Sequence, residues 1–293
     1  MSTSYIGRFA PSPTGPLHMG SLLAALASFL DARSQQGKWL IRIEDLDPPR
    51  EQAGATDSIL HSLEAHGLLH DDEICFQSQR HERYLEVLEQ LLKLDAIFPC
   101  QCSRQELAAN RGIHNGRCHS SEVKLQSPGW AWRAAIRAID LQFDDGLKGK
   151  QEQALAEEVG DFVLLRKDGL FAYQLAVVVD DIDFNVSHIV RGEDLLSSTA
   201  RQIYLYELLN CTPARYFHLP LILNTQGQKL SKQNHAPAIQ SSQASENIYY
   251  CLQLLGQNPK AEFKGAPCKE LIQWGIDNWN LENIPGKLPE PAS

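Results

Sequence analysis

The sequence has no apolar run that approaches the roughly 20 residues of a membrane-spanning helix. Its N-terminus lacks the basic segment and the following hydrophobic stretch of a secretory signal peptide. It also lacks a surplus of basic residues, because the formal net charge is −9 at pH 7. A protein that coats nucleic acid non-specifically needs a basic surface, so that class is excluded, whereas a local basic groove is not. We therefore expect a cytoplasmic protein without a membrane partner.

A disulfide scaffold is also excluded. The seven cysteines are an odd number, and without a signal peptide we expect reduced thiols or metal ligands. There is no internal repeat or low-complexity tract. The 293 residues are enough for about two domains of roughly 150 residues each. The content of 43% hydrophobic and 22% charged residues is typical of a globular protein.

The segment at residues 5–26 is the most distinctive part of the chain and predicts a strand, a bend and a helix. Four residues that continue neither a strand nor a helix enforce the bend: Pro11, Pro13, Gly15 and Pro16. The unpaired N–H groups and the dipole of a helix start favour an anion. His18 supplies an imidazole there, and Gly20 leaves room for a ligand. The segment fits either a nucleotide phosphate site or an ordinary strand–loop–helix corner.

The rest of the chain alternates strands and helices. Residues 38–45 predict a strand that ends in a carboxylate cluster, and residues 56–67 and 79–94 predict amphipathic helices. This alternation is typical of an α/β domain with a parallel sheet. The regular alternation of strand and helix patterns is lost over residues 98–158, which we interpret as an insertion. Later patterns predict a turn at 167–169, a buried strand at 187–192, a helix at 198–209 and a strand at 218–223.

Two lysines, Lys229 and Lys232, follow the last of these strands. Ligands bind beyond the carboxyl ends of the strands in open α/β sheets, where the opening bend would also lie. Two ammonium groups beside a helix start would suit a triphosphate. Alone, the lysines fit a solvated turn, and together with the opening segment they favour a nucleotide site.

Five separated segments together resemble the class I glutamyl-tRNA synthetases: residues 5–26, 41–47, 173–181, 189–193 and 229–233. Residues 18–21 stand in for the family's HIGH signature, keeping its His and Gly, and residues 229–233 for its KMSKS signature, keeping both lysines. The resemblance implies a Rossmann-type class I catalytic core over residues 1–235, with the insertion inside it. It also implies ATP, accompanied by Mg²⁺, and L-glutamate as substrates.

Only 60 residues follow Gln233, so we expect no anticodon-binding domain but a small helical region over 236–293. The truncated relatives of this shape are the glutamyl-Q tRNA(Asp) synthetases, which residues 48–51 and 229–237 also resemble. Members esterify activated glutamate to the queuosine of tRNA(Asp). The resemblance therefore implies that partner, and nothing in the sequence demands more than a monomer.

The resemblance also implies the roles of individual residues. The glutamate-binding set is Arg8, Phe9, Ala10, Pro11, Ser12, Glu44, Tyr173 and Arg191. The ATP-binding set is His18, Gly20, Ser21 and Lys232, and the catalytic set is His18, Lys229 and Lys232. Glu44 would pair with the substrate ammonium, and the arginines with carboxylates. For Asp180 and Asp181 a metal site is the alternative to the structural, strand-end role that we favour.

A second group of residues, Cys100, Cys102, His114 and Cys118, lies within the insertion. Three thiolates and an imidazole make a complete tetrahedral zinc set, and four protein ligands imply one structural zinc. The alternatives are four reduced residues in a loop, or His119 as a ligand in place of His114.

Three other functions stay open. A minimal glutamyl-tRNA synthetase that charges an acceptor end would share the catalytic motifs. A nucleotidylyltransferase that does not act on RNA would account for the two signatures, but not for Glu44, Tyr173 and Arg191 together. A silent RNA-binding paralogue would be expected to have lost His18 or Lys232, and both are present.

Overall fold

A five-stranded parallel sheet lies at the centre of the computed structural model, which describes residues 5–110, 113–114, 116, 118, 123–137, 140–222 and 237–288. The strands in chain order are β1 (Ile6–Phe9), β2 (Lys38–Ile43), β3 (Cys75–Phe76), β4 (Ile97–Cys100), β5 (Ala131–Ala134), β6 (Asp140–Asp145), β7 (Gly149–Ala154), β8 (Val163–Leu165), β9 (His188–Gly192) and β10 (Arg215–Leu219). The central sheet has the order β10-β9-β1-β2-β3, with every neighbouring pair parallel. The chain runs outward from β1 to β3 on one side and returns on the other as β9 and β10. The space between β1 and β9 is therefore the switch point of the sheet, where α/β proteins bind ligands.

Nine helices of the described ranges surround the strands. They are α1 (Met19–Ser34), α2 (Ala55–Ala65), α3 (His81–Lys93), α4 (Arg104–Ala108), α5 (Leu155–Glu158), α6 (Tyr173–Asp183), α7 (Leu196–Leu208), α8 (Ala244–Leu254) and α9 (Cys268–Asn278). Within the described part of the chain, no helix combines the length and the apolar character needed to cross a bilayer. This architecture confirms the prediction of an α/β fold with a Rossmann-type core.

Two hydrophobic cores cover the two faces of the central sheet. On one face, α1 packs with α2, α8 and α9 around Trp39 and Ile41 of β2. On the other, α3, α6 and α7 pack around Tyr84, Val178 and Tyr206. Helix α1 is buried over most of its circumference because α8 and α9 cover the side that faces away from the sheet.

The predicted insertion forms its own small sheets. β5 pairs antiparallel with β4 and with β8, and β6 and β7 form a hairpin. The tip of this hairpin contacts the central sheet, where the N–H of Gly146 donates to the carbonyl of Tyr216 at 2.9 Å. The insertion is thus connected to β10, the edge strand next to β9.

Three local predictions were wrong. Asp180 and Asp181 lie in helix α6 rather than at a strand end, because the apolar run before them packs between two other helices, an arrangement that a short run does not reveal. The last strand begins at Arg215 and ends at Leu219, since Pro220 has no N–H for a ladder bond. On α3, the helical spacing predicts that Leu85, Leu88, Leu91 and Leu92 face inward. Leu92 is instead 38% exposed, and Tyr84 and Val87 are buried.

Candidate active site

A cavity of about 520 Å³ opens at the carboxyl ends of β1, β9 and β10, beside the start of α1. Its volume is typical of a small-molecule site. Every predicted glutamate- or ATP-binding residue of the described chain lines it: Arg8, Phe9, Ala10, Pro11, Ser12, His18, Gly20, Ser21, Glu44, Tyr173 and Arg191. The structure therefore brings the two predicted sets together in one place, while the role of each residue stays a prediction.

The bend after β1 is fixed by backbone hydrogen bonds to the next part of the chain. The N–H of Glu44 donates to the carbonyl of Pro11, and that of Gln52 to the carbonyl of Pro13, both at 3.0 Å. Gly15 has a φ of +133°, a conformation that favours glycine. These contacts hold the carboxyl end of β2, and with it Glu44, against the bend.

His18 caps the N-terminus of α1. Its Nδ1 accepts a hydrogen bond from the N–H of Ser21 at 3.3 Å, and its Nε2 lies 3.1 Å from the Ser21 hydroxyl. The backbone of His18 also pairs with Ala238 in an isolated antiparallel bridge. The imidazole is thus placed at the helix start, where N–H groups favour an anion.

Lys229 and Lys232 lie outside the described residues. The chain on either side of them is described: Ile222 lines the cavity, and Ala238 pairs with His18. One flank of the segment with the lysines therefore lines the cavity, and the other pairs with a residue that lines it.

A buried network of charges supports the floor of the cavity. The Asp181 carboxylate accepts from Nη1 of Arg42 at 2.5 Å and from Nε of Arg8 at 3.4 Å. Nη2 of Arg42 donates in turn to Glu44 at 3.1 Å. Burial raises the pKa of Glu44 above its ordinary value, although Arg42 and Arg8 act in the opposite direction. Glu44 is therefore a carboxylate at the cavity whose charge depends on these arginines.

The Asp180 side chain is wholly buried on the side of α6 that faces α3. It accepts hydrogen bonds from Gln77 at 2.7 Å, from Arg80 at 2.6 Å and from the Tyr84 hydroxyl at 3.0 Å. These contacts support the structural role that we favoured for Asp180 over a metal site. Only its location at a strand end was wrong.

Arg191 is held by neutral groups on three sides. Its Nε donates to Nε2 of His218 at 3.0 Å, and its Nη2 donates to Oγ1 of Thr199 at 2.9 Å. The guanidinium stacks 5.0 Å above the Tyr216 ring. Its Nη1 is buried and has no hydrogen-bond partner. Because Arg191 lines the cavity, an anionic group of a ligand that reached Nη1 would satisfy these donors.

The sequence analysis missed the pair that lies behind Arg191. Nδ1 of His218 is 2.5 Å from a carboxylate oxygen of Asp145, at the end of β6. Burial, together with the charges of Arg191 and Lys148, lowers the pKa of His218 although Asp145 acts in the opposite direction, and the hydrogen bond from His218 helps hold the pKa of Asp145 below its ordinary value despite burial. The pair is thus a neutral imidazole that donates to a carboxylate. In the sequence, His218 is one histidine in an apolar strand and Asp145 a residue of a hairpin turn, so neither carried a signal.

The four predicted zinc ligands converge within the insertion. One ligand atom from each of Cys100, Cys102, His114 and Cys118 lies within 4.8 Å of the others, and they could hold a metal ion. Sγ of Cys102 is 3.2 Å from Sγ of Cys118 and 3.7 Å from Nε2 of His114. Despite burial, hydrogen bonds from His114 and Cys102 lower the pKa of Cys118 to about 7, which favours the thiolate that binds metals.

Asp161 supports this cluster from outside. Its carboxylate lies 2.9 Å from Nδ1 of His114, which leaves Nε2 of the imidazole for a metal. The carboxylate also accepts from the N–H of Ile136 at 2.8 Å, at the end of β5. The alternative ligand, His119, lies outside the described residues.

Comparison with known proteins places this site in a family. The family model of the class I tRNA synthetases (E and Q), catalytic domain, matches residues 6–257. A glutamyl-Q tRNA(Asp) synthetase from Ectopseudomonas mendocina is 47% identical over 292 residues, which cover 97% of this chain and 96% of the relative. The chain belongs to the glutamyl-Q tRNA(Asp) synthetase family.

Other family members and solved structures agree with this assignment. The glutamyl-Q tRNA(Asp) synthetase of Neisseria meningitidis serogroup C is 48% identical, with 98% of this chain and 99% of the relative covered. The glutamate-tRNA synthetase structure from Elizabethkingia anophelis has a TM-score of 0.82 and 25% identity, and 99% of this chain covers 68% of that one. A glutamate tRNA ligase from Elizabethkingia meningosepticum, at 24% identity and a TM-score of 0.84, shares the fold, and 67% of its chain is covered.

Proposed function

We propose that this protein activates L-glutamate with ATP and transfers the glutamyl group to the queuosine of tRNA(Asp). The observation that carries the proposal is the single cavity in which a capped helix start meets Arg8, Glu44 and Arg191. Membership of the glutamyl-Q tRNA(Asp) synthetase family supports the choice of amino acid and of tRNA. The shared fold of glutamate-tRNA synthetases supports the same chemistry at the sheet.

Glutamate carries one ammonium group and two carboxylates, and the cavity wall offers a partner to each kind of charge. The partly buried carboxylate of Glu44, at the cavity wall, would pair with the ammonium group. The unpaired Nη1 of Arg191 would donate to one carboxylate, and Arg8 lies at the end of the neighbouring strand. Pairing of the buried Nη1 would remove the cost of a donor without an acceptor, so the free energy of binding would favour an anion at this point.

The first step is attack by the α-carboxylate oxygen of glutamate on the α-phosphorus of ATP. A new O–P bond forms, the bond to the β-phosphate oxygen breaks, and pyrophosphate leaves. The start of α1 and His18 would stabilise the charge that builds up on the phosphates, together with Lys229 and Lys232. Mg²⁺ enters with ATP and neutralises part of that charge. The protein acts by position and electrostatics, without a nucleophile of its own.

In the second step, a hydroxyl of the queuosine cyclopentenediol attacks the carbonyl carbon of glutamyl-adenylate. An ester forms as the hydroxyl gives up its proton to solvent, and AMP leaves with the electron pair of the broken C–O bond. The tRNA is thus the acceptor, and the position of its hydroxyl determines where the glutamyl ester forms.

One assay in two parts tests this function. Exchange of pyrophosphate into ATP is measured with glutamate and without tRNA, and transfer of labelled glutamate is then measured to tRNA(Asp) with and without queuosine. We expect exchange, and transfer only to the tRNA that carries queuosine. The absence of exchange would refute the proposed activation of glutamate. Transfer to tRNA(Glu), or equal transfer to tRNA(Asp) without queuosine, would refute the proposal that queuosine of tRNA(Asp) is the acceptor.

We also propose that the Cys₃His cluster holds one structural zinc. Zn–S bonds of about 2.3 Å in a tetrahedron place neighbouring sulfurs about 3.8 Å apart, close to the spacing of the four ligand atoms. Purified protein should contain about one zinc per chain. Cys118→Ala should remove it and lower the unfolding temperature, whereas Cys211→Ala, outside the cluster, should retain it. A fully folded wild-type protein without metal would contradict this proposal.

A further inference from the structure

We propose that Asp145 and His218 are positioning residues that aim Arg191 at glutamate. The proposal rests on the function proposed above, in which Arg191 binds a carboxylate of the substrate. It concerns a pair that does not line the cavity itself. The two side chains act on the reaction only through the guanidinium in front of them.

Hydrogen bonds connect the Asp145 carboxylate, through His218, to Arg191 at the cavity. Asp145 accepts from Nδ1 of His218, and Nε2 of His218 accepts from Nε of Arg191. Both side chains of the pair are fully buried. A neutral imidazole has one donor and one acceptor nitrogen, so the carboxylate at Nδ1 leaves Nε2 as the acceptor. Only this tautomer can accept from the guanidinium.

The hydrogen bond from Arg191 to His218 determines where the N–H groups of Nη1 point. A guanidinium is planar, so acceptors at Nε and Nη2 fix the plane and direct Nη1. His218 supplies the first acceptor and Thr199 the second, and Nη1 is the nitrogen that remains unpaired. The neutral acceptors leave the positive charge of Arg191 available to the substrate.

The carboxylate comes from the insertion rather than from the central sheet. Asp145 is held by its turn, because its Oδ1 accepts from the N–H groups of Leu147 and Lys148 at 3.0 and 2.9 Å. It also accepts from the N–H of His218 at 3.2 Å. A Cβ on Gly146 would lie 2.1 Å from the ring of Phe217, so the turn sits directly on β10. The insertion therefore contributes a residue to the glutamate site.

Asp145→Asn is the sharpest variant, because it retains the shape and removes the charge. The amide would favour a proton on Nε2 of His218, which would then face the Nε–H of Arg191. We expect the KM for glutamate in pyrophosphate exchange to rise about tenfold or more, since a hydrogen bond to a charged group is lost. The KM for ATP should stay within about twofold, because the helix start is untouched.

Substitutions of His218 distinguish the loss of the hydrogen-bond acceptor for Arg191 from a loss of folding stability. His218→Gln brings an amide oxygen toward the place of Nε2 and should recover part of the affinity for glutamate, while His218→Leu should not. His66→Leu is the matched control, because His66 is also fully buried but bonds to Ser62 and Asn247, and it does not line the cavity. We expect the control to lower the unfolding temperature without changing the KM for glutamate.

Nitrogen NMR of the wild-type protein tests the same pair without relying on a variant that must fold. Histidine labelled with ¹⁵N should show His218 with the proton on Nδ1 and with Nε2 bare at neutral pH. A proton on Nε2 would overturn the proposal. So would an unchanged KM for glutamate in Asp145→Asn and His218→Leu, or equal changes in the KM values for glutamate and ATP.

Failure of this inference can be told apart from failure of the proposed function. Arg191→Ala tests the function, and an unchanged KM for glutamate would refute its binding role whatever the pair does. If Arg191→Ala raises that KM while the variants of the pair do not, only the inference fails.

Discussion

The two arginines of the cavity differ in what holds them. Arg8 shares the carboxylate of Asp181 with Arg42, so much of its charge is already balanced within the protein. Arg191 donates to an imidazole, a hydroxyl and a carbonyl, and it takes part in none of the ion pairs among the described residues. An unbalanced charge that is partly shielded from water interacts more strongly with a substrate. We therefore expect Arg191 to bind a substrate carboxylate more strongly than Arg8 does.

Glu44 leads to a prediction about pH. Because burial raises the pKa of Glu44, its carboxylate becomes protonated at a pH above the ordinary value of 4.5. We expect the KM for glutamate to rise as the pH falls through this raised pKa, by up to about tenfold per unit, because a neutral Glu44 cannot pair with an ammonium group. The measurement is the pH profile of pyrophosphate exchange from neutral pH downward, over the range in which both carboxyl groups of free glutamate stay ionised.

Glu44→Gln is the comparison for this profile. It should show a high KM for glutamate that no longer depends on pH in that range. A profile that keeps its acid-side rise in this variant would assign the rise to another group.

His18→Asn separates the imidazole from the helix cap. Asn caps helices well, so the unfolding temperature should change little. The rate of adenylate formation should fall about 10²- to 10³-fold, as when one donor to a developing charge is removed. His61→Asn, an exposed position on α2, should leave both quantities unchanged. Activity near that of the wild type in His18→Asn would limit the residue to capping.

The buried carboxylate of Asp180 on helix α6 leads to a prediction about stability. Asp180→Asn should lower the free energy of unfolding by about 3–5 kcal/mol, because it leaves a guanidinium partly unpaired inside the protein. Asp168→Asn is the control, since the Asp168 side chain is 51% exposed and bonds to the neighbouring Arg166; its effect should be within about 0.5 kcal/mol. Urea denaturation measures both. A stable Asp180→Asn protein with a changed Mg²⁺ requirement would instead favour the metal site.

The elements also show what the sequence could predict. Strands β1 and β2 and helix α1 were predictable because prolines end the strands and a run of Ala and Leu makes the helix. The cavity residues were predicted from the resemblance to glutamyl-tRNA synthetases, and the shared edge of parallel strand ends explains why several of them meet. Helix α6 was not, since five apolar residues fit a buried strand as well as a buried helix. The link from Asp145 to His218 joins positions 73 residues apart, and no local pattern encodes it.

The C-terminal helices α8 and α9 complete the hydrophobic core around α1, so they affect the stability of the whole molecule. Gly275 of α9 lies so close to α1 that a Cβ there would be 3.1 Å from Leu30. Nε1 of Trp279 donates to Asp31 of α1 at 2.9 Å. The predicted division at residue 235 therefore separates two parts that share one hydrophobic core.

Leu271→Ala tests whether these parts unfold together. Leu271 is fully buried on α9, and its truncation should lower the free energy of unfolding of the whole chain by about 2–5 kcal/mol in a single transition. Calorimetry follows the transition, with Leu69→Ala, at 57% exposure, as the control of little effect. A separate early transition in Leu271→Ala would instead mark the C-terminal region as an independent unit.

The docking of Gly146 onto Phe217 has a consequence for chimaeras of related enzymes. A graft that exchanged residues 98–158 would transplant more than the Cys₃His cluster, because the donor's hairpin would also supply the residue that contacts His218. We expect a donor with a carboxylate at this turn to preserve the proposed glutamate site, and one without it to weaken glutamate binding while the recipient's strands stay native. Designs that aim to alter tRNA preference through this insertion therefore have to keep residues 145–148 and β10 as one inherited unit.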